Sequence, residues 1–252
     1  VVVLQQHKSL DLLLNFLLTS TKTKWKSMQQ ILTNGCTISS SGTTGTPKQI
    51  FRTPENLKAC NEIAIAVQML TSESRVYTCT RMTHAGGLLL QTLPAYTLGC
   101  DIHTTSFSAF KFITEFENYT HTFLPPQMCE AVMKTKNFAT CDLTGKIVCM
   151  GSDVIPSKHI QAFIDKGATV IANWGMSEAG PNVINKTFSP GDVVEHDGIM
   201  GDTFYCDTKI GENGQLYIKG DISVYGDNWF ATGDMVELKG DVLYYLKRKH
   251  NK

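Results

Sequence analysis

An excess of charge of either sign is absent from this chain: Lys plus Arg and Asp plus Glu stand at 23 each. A balanced chain has no net field to gather polyanions, so neither nucleic acid nor an anionic membrane is expected as partner. Pairing signals among the cysteines are also missing. The eight of them, at positions 36, 60, 79, 100, 129, 141, 149 and 206, contain no Cys-x-x-Cys pair and no regular spacing, which argues against a zinc site or a disulfide framework and for reduced thiols. The seven histidines form neither His-Glu-x-x-His nor His-x-x-x-His, so no metal-ligand cluster is expected. No apolar run is long enough for a bilayer. The longest, Leu10, Leu13, Leu14, Leu17 and Leu18 behind Ser9, recurs at helical spacing, and no basic segment with a small-residue cleavage site frames it as a signal peptide. A cytoplasmic protein with a small-molecule partner is the expectation.

What the chain does contain is an alternation of strand-like and helical runs. After a polar stretch at Thr19 to Lys26 and a short helix ending at Asn34-Gly35, an extended Cys36 to Ile38 leads into a Ser/Thr/Gly-rich segment. Thr53-Pro54-Glu55 reads as N-cap, first-turn proline and acid, with Leu57, Cys60, Ala64 and Val67 on one face of the helix that follows. Strands are expected at Arg75 to Thr80, Cys100 to Thr104, Thr120 to Leu124, Lys146 to Met150 and Thr169 to Asn173. Helical runs separate them: Gly86 to Leu93 stopping before Pro94, Phe107 to Phe116, Pro126 to Lys134, and Ser157 to Lys166 closed by Gly167. Beyond Gly180 the pattern becomes hairpins: Thr203 to Lys209 with Gln215 to Lys219, then Met235 to Leu238 with Val242 to Leu246. The fold class is α/β, a mostly parallel sheet flanked by helices and followed by a smaller β-rich lobe. The expected boundaries are 1–180 for the core, 181–246 for the lobe of the same domain, and 247–252 for a short hinge-like end.

Ser39-Ser40-Ser41-Gly42-Thr43-Thr44-Gly45-Thr46-Pro47-Lys48 is the segment that carries chemistry. Two glycines allow a tight backbone, hydroxyls and freed amides supply donors, and one lysine supplies a point charge, which together suit phosphates. The spacing does not fit the Walker pattern, so a P-loop NTPase is disfavoured. Asn173-Trp174-Gly175-Met176-Ser177-Glu178 follows a predicted strand, where open α/β sheets place ligands. Gly175-x-Ser177-x-Ala179 also approximates a hydrolase elbow, but Gly180-Pro181-Asn182 interrupts the helix an elbow requires. Gly151-Ser152-Asp153-Val154-Ile155-Pro156, Phe230-Ala231-Thr232-Gly233-Asp234 and Thr83-His84-Ala85-Gly86-Gly87 complete the set. Read singly, Gly151 to Pro156 is a helix-entry turn, Thr232-Gly233-Asp234 a turn aspartate, Trp174 a buried aromatic beside a turn and His84 a structural histidine.

Taken in their order along the chain, the segments resemble the adenylate-forming superfamily, which includes acyl- and aryl-CoA synthetases, luciferases and peptide-synthetase adenylation domains. The likeness runs from Ile38 to about Arg248. It implies that Ser40, Ser41, Gly42, Thr43, Thr44, Gly45, Thr46 and Lys48 hold the phosphates of ATP. By the same resemblance Trp174 stacks on adenine, Asn173 reads its edge, Ser177 reaches the α-phosphate, and Glu178 with Thr43 ligates Mg²⁺. Gly151, Ser152, Asp153, Gly175 and Met176 line the nucleotide and acyl pocket, Asp234 and Arg248 meet the ribose, and His84 walls the acid. The segment Met82 to Leu89 lacks the aspartate by which amino-acid-activating relatives pair an ammonium group, which points to an unaminated acid.

The resemblance also implies parts to which this chain does not extend. Only 38 residues precede the phosphate loop, where the family has a substantial subdomain, and the mobile C-terminal domain with the adenylation lysine has no counterpart. A homodimer or a partner protein is therefore expected to cover the core. The basic end Lys247-Arg248-Lys249-His250-Asn251-Lys252 is either a solvated terminus or a partial substitute for that lysine. The implied activity is an AMP-forming carboxylic acid ligase using ATP and Mg²⁺, with coenzyme A left open as acceptor. The alternative is a catalytically impaired nucleotide-binding module or a split-enzyme subunit.

Overall fold

A computed structural model of the chain describes residues 21–40 and 48–249. The leucine repeat at 10–18, loop residues Ser41, Gly42, Thr43, Thr44, Gly45, Thr46 and Pro47, and the last three residues lie outside the described residues. Helix α1 (Thr21–Asn34) replaces the polar linker expected up to Lys26. Met28 and Ile31 are buried, and a helix anchored there propagates back through polar residues because elongation is far easier than nucleation. Gly35, at φ 76°, ends it.

Strands β1 (Cys36–Ser40) and β2 (Lys48–Arg52) form an antiparallel hairpin that pairs Ser40 with Lys48 and Cys36 with Arg52. This two-stranded unit shares no ladder with the other two sheets. Cys36 and Ile38 pack it onto Met28, Ile31, Leu57, Met82 and Leu88. Next comes α2 (Pro54–Gln68), whose start is fixed as its sequence expects: Thr53 Oγ1 accepts from the Asn56 amide at 3.3 Å, and Leu57, Cys60, Ala64 and Val67 are buried.

The main sheet takes β3 (Arg75–Thr78), β4 (Asp101–Thr104), β5 (His121–Leu124), β6 (Ile147–Gly151), β7 (Thr169–Met176), β8 (Gly180–Phe188) and β10 (Thr203–Phe204), the last numbered after β9 (Ile199–Gly201). Its order is β10-β8-β7-β6-β5-β3-β4, parallel from β4 to β7 and antiparallel at β8 and β10. Both faces are covered, as a parallel sheet requires. Phe123, Cys149 and Ile171 face Val67 of α2 and Leu90. Their alternating neighbours Val148, Met150, Val170 and Ala172 face Phe112, Val132, Ile160 and Phe163, which come from α4 (Ala109–Phe116), α5 (Pro126–Met133) and α7 (Ser157–Ile164), with the short α6 (Lys136–Thr140) between the last two.

Three expectations are corrected here. Pro94 does not stop a helix: Gly86–Thr92 is a π-helix in which the Leu93 amide reaches back to Leu88 O, and Pro94 falls in the first turn of α3 (Leu93–Leu98), where its missing donor is not needed. The main sheet continues past residue 180, because β8 folds straight back onto β7. Thr203 to Lys209 is not one strand: the chain leaves the main sheet after Phe204 and enters a second sheet as β11 (Asp207–Ile210).

That second sheet, ordered β11-β12-β13-β14-β9, is antiparallel throughout. A turn at Gly214 joins β11 to β12 (Gln215–Lys219) and one at Gly240 joins β13 (Phe230–Lys239) to β14 (Val242–Arg248), with φ of 79° and 59°. Among the described residues no helix is long and apolar enough to cross a membrane.

Candidate active site

The C-terminal ends of β6 and β7 meet the β13–β14 hairpin across a cavity of about 130 Å³. Ser152, Asp153, Asn173, Trp174, Gly175, Met176, Asp234 and Arg248 all line it, so three motif segments distant in sequence converge on one cavity. Trp174 and Met176 lie within β7 rather than after it, because β8 pairs with them through a register shift between Trp174 and Met176. Gly175 permits the tight return: a Cβ there would strike the Gly180 carbonyl. Asn173 Oδ1 accepts from the Asn182 amide at 2.7 Å, so its oxygen serves the hairpin and Nδ2 is left for a ligand. A Cβ on Gly151 would run into the Asn173 carbonyl. Gly151→Ala is therefore expected to lower stability by about 1–3 kcal/mol, the range for forcing a methyl group into a packed site. A melting curve unchanged from the parent would contradict that contact.

Asp234 sits on β13, not in a turn, and is buried. Its Oδ2 accepts from Trp174 Nε1 at 3.1 Å. Its Oδ1 is buried without a hydrogen-bond partner, and the nearest cation, Arg248 Nη1, stands 3.5 Å away. Arg248 is itself held by donating from Nη2 to Thr232 O at 3.2 Å. Burial pushes the Asp234 carboxyl above the usual range, Arg248 and the Trp174 bond pull it back in part, and Glu178 raises it further. A cavity-lining carboxylate with one oxygen that accepts no hydrogen bond among the described residues is fitted to accept hydrogen bonds from hydroxyls.

Glu178 is buried just behind β7, and its carboxylate makes no hydrogen bond or ion pair among the described residues. No group of three His, Cys, Asp or Glu gathers among those residues. A single protein carboxylate that completes its shell from phosphate oxygens and water fits Mg²⁺, which is commonly bound that way. His84 stands apart from the cavity lining, half-buried, with Nδ1 3.1 Å from Thr83 Oγ1. Burial lowers its pKa and Arg81 adds to the effect, so at neutral pH the ring is an uncharged hydrogen-bonding group. The Thr83 carbonyl accepts from the Ser39 amide at 3.0 Å, which sets His84 beside the hairpin that carries Ser40 and Lys48. Thr43 and Thr44, with the rest of the loop, lie outside the described residues.

Two residues, one lining the cavity and one behind it, are not singled out by the sequence. Tyr245 lines the cavity from β14. Arg52 is wholly buried at the end of β2, donating to Ile222 O and to Ser177 O, each at 2.7 Å, and to Cys60 Sγ at 3.3 Å. The signal for Arg52 is parity, since a residue paired with Cys36 and two positions from Ile50 shares the inward face of the hairpin.

This chain belongs to the AMP-binding enzyme family, whose model matches residues 35–226, and with it to the adenylate-forming superfamily that its motifs resemble. It is 28% identical over 229 residues to an indoleacetate–CoA ligase of Aromatoleum aromaticum, covering 80% of this chain and 44% of the relative. A feruloyl-CoA synthase of Amycolatopsis sp is 26% identical over 236 residues, 82% of this chain and 47% of the relative. The chain thus spans less than half the length of these curated relatives. Among solved structures, o-succinylbenzoate coenzyme A synthetase (MenE) of Bacillus subtilis in complex with AMP superposes with a TM-score of 0.71 at 20% identity, covering 84% of this chain and 49% of that one. That likeness establishes the fold: the N-terminal α/β part of an adenylate-forming enzyme.

Proposed function

We propose that the chain is the nucleotide-binding part of an AMP-forming ligase that activates an acyl or aryl carboxylic acid as its acyl-adenylate, with coenzyme A as the acceptor. The observation that carries this reading is buried Asp234, whose Oδ1 accepts no hydrogen bond among the described residues, in a cavity lining shared with Trp174 and Arg248. An ionised carboxylate there takes both ribose hydroxyls, the indole packs on the base, and Asn173 Nδ2 donates to its edge. The acid oxygen bonds to the α-phosphorus as the bridge to the β-phosphate breaks, and pyrophosphate leaves with the electron pair. Little covalent work falls to the protein, which must position groups and neutralise charge. Ser177 donates to the α-phosphate, Lys48 with Ser40, Ser41, Thr43, Thr44 and Thr46 holds the outer phosphates, and neutral His84 orients the acid without fixing a charge beside it. Glu178 and Thr43 would hold Mg²⁺, which when bound offsets the phosphate charge.

Titration calorimetry with AMP, followed by pyrophosphate release against a panel of aryl and acyl acids, tests the reading. Trp174→Ala is expected to weaken AMP binding by about 1–3 kcal/mol, the scale of one base stack. A parent protein that fails to bind AMP overturns the proposal. AMP binding with no pyrophosphate released from any acid restricts it to a nucleotide-binding module.

A further inference from the structure

The β1–β2 hairpin presents a problem of orientation. It carries Lys48 and Ser40 yet shares no ladder with either larger sheet, and an isolated two-stranded hairpin is at best marginally stable. Apolar packing through Cys36 and Ile38 holds its base against α1 and α2, but packing of that kind has no direction. Directional bonds from described residues include two that reach across to other elements. One is the Ser39 amide to Thr83 O; the other is Arg52.

Arg52 is a large, fully buried side chain that shares no salt bridge with a described carboxylate, and its Nε has no hydrogen-bond partner. Its two terminal nitrogens reach in different directions, Nη2 to Ser177 O and Nη1 to Ile222 O. The Val224 amide donates to Glu178 O at 3.0 Å, which closes the same junction from the other side. Asn56, one helical turn on, donates to Asp221 O and Ser223 O at 2.8 and 3.1 Å and so holds the same turn of the second lobe without touching Ser177.

We infer that Arg52 is a positioning residue that fixes the hairpin bearing Lys48 to the Ser177–Glu178 turn, so that groups meeting phosphates and groups meeting adenosine keep one geometry. This rests on the proposed nucleotide reading for its functional consequence. The planar fork suits the task because one rigid group bonds two carbonyls at once, whereas a lysine ammonium on a flexible stem satisfies one at a time. The wrong length of chain at this point tilts the hairpin, and a displacement of about 1 Å can reduce productive binding by two orders of magnitude.

The test compares Arg52→Lys, Arg52→Met and Asn56→Ala with the parent, each below its own melting temperature. Binding of adenosine and of Mg·ATP is measured by calorimetry, and amide hydrogen exchange is measured without ligand. Both Arg52 variants are expected to bind Mg·ATP about 10-fold or more weakly while adenosine binding holds, and Asn56→Ala is expected to leave both unchanged. Exchange at Val224 and along the hairpin should rise together in Arg52→Lys, the variant that keeps the charge and one of the two bonds. Equal losses for adenosine and ATP, or a Lys variant that binds ATP as the parent does, overturn the inference. A parent that binds neither ligand overturns the nucleotide reading instead, and the exchange data alone then decide: protection of Val224 and the hairpin that falls separately, or not at all, refutes the coupling.

Discussion

Arg52→Ala is expected to lower the melting temperature of the ligand-free protein by roughly 10 °C, at about 2–4 °C per kcal/mol for a chain of this size. Truncation leaves the Ile222 and Ser177 carbonyls without their donor, at about 1–3 kcal/mol for each buried group left unsatisfied. The space vacated by a fully buried guanidinium adds a cavity cost of about 24 cal/mol per Å³. Removing a buried charge recovers part of this, since its desolvation was itself unfavourable. Differential scanning calorimetry decides the matter, and a shift of a degree or less would mean that water replaces the guanidinium at both carbonyls.

Asp234→Asn should separate binding from folding. The amide keeps the shape of the carboxylate but loses the charge that strengthens hydrogen bonds from hydroxyls, so adenosine affinity should fall by about 1.5–3 kcal/mol. Stability should move the other way. Burial raises the Asp234 pKa in the folded chain above its unfolded value, so ionisation is unfavourable to folding. That destabilisation is absent below the unfolded pKa and complete above the folded one; this group therefore makes the ligand-free protein more stable as the pH falls through that window. The Asn variant should melt at or above the parent temperature at neutral pH and lack this contribution to the pH dependence. On the proposed reading adenosine binding requires the ionised form, and with no phosphate to titrate it should weaken in the parent as the pH drops through the same window and stay flat in the variant. A variant that binds adenosine as tightly as the parent removes Asp234 from the ribose site.

The helix from Pro54 and the parallel character of the main sheet are legible in the sequence because their signals are local: a capping threonine before proline, apolar residues at helical spacing, and short strand-like runs that alternate with helical ones. The partnership of Trp174 with Asp234 is legible only through motif order, since no local pattern joins residues so far apart. Arg52 escapes such reading because a charged residue in a strand suggests a solvated face until its pairing with Cys36 is known. The π-helix is similarly hidden. Leucines at 88, 89, 90 and 93 predict a helix, while the wider turn that accommodates Pro94 depends on packing against Met82 and Leu57.

The two larger sheets end in strands poorly suited to receive another strand. The main sheet stops at two-residue β10 on one side and at four-residue β4, with exposed Asp101, on the other. The second sheet stops at three-residue β9 and at β11, where Asp207 and Lys219 form an ion pair at 3.3 Å. Short, charged borders leave few free backbone donors and acceptors in a row, and natural sheets use this to resist edgewise aggregation. A second protein that recognises either of these two sheets must therefore read its side-chain relief, and selectivity there will be set by shape and charge instead of by a backbone template that many sequences could match.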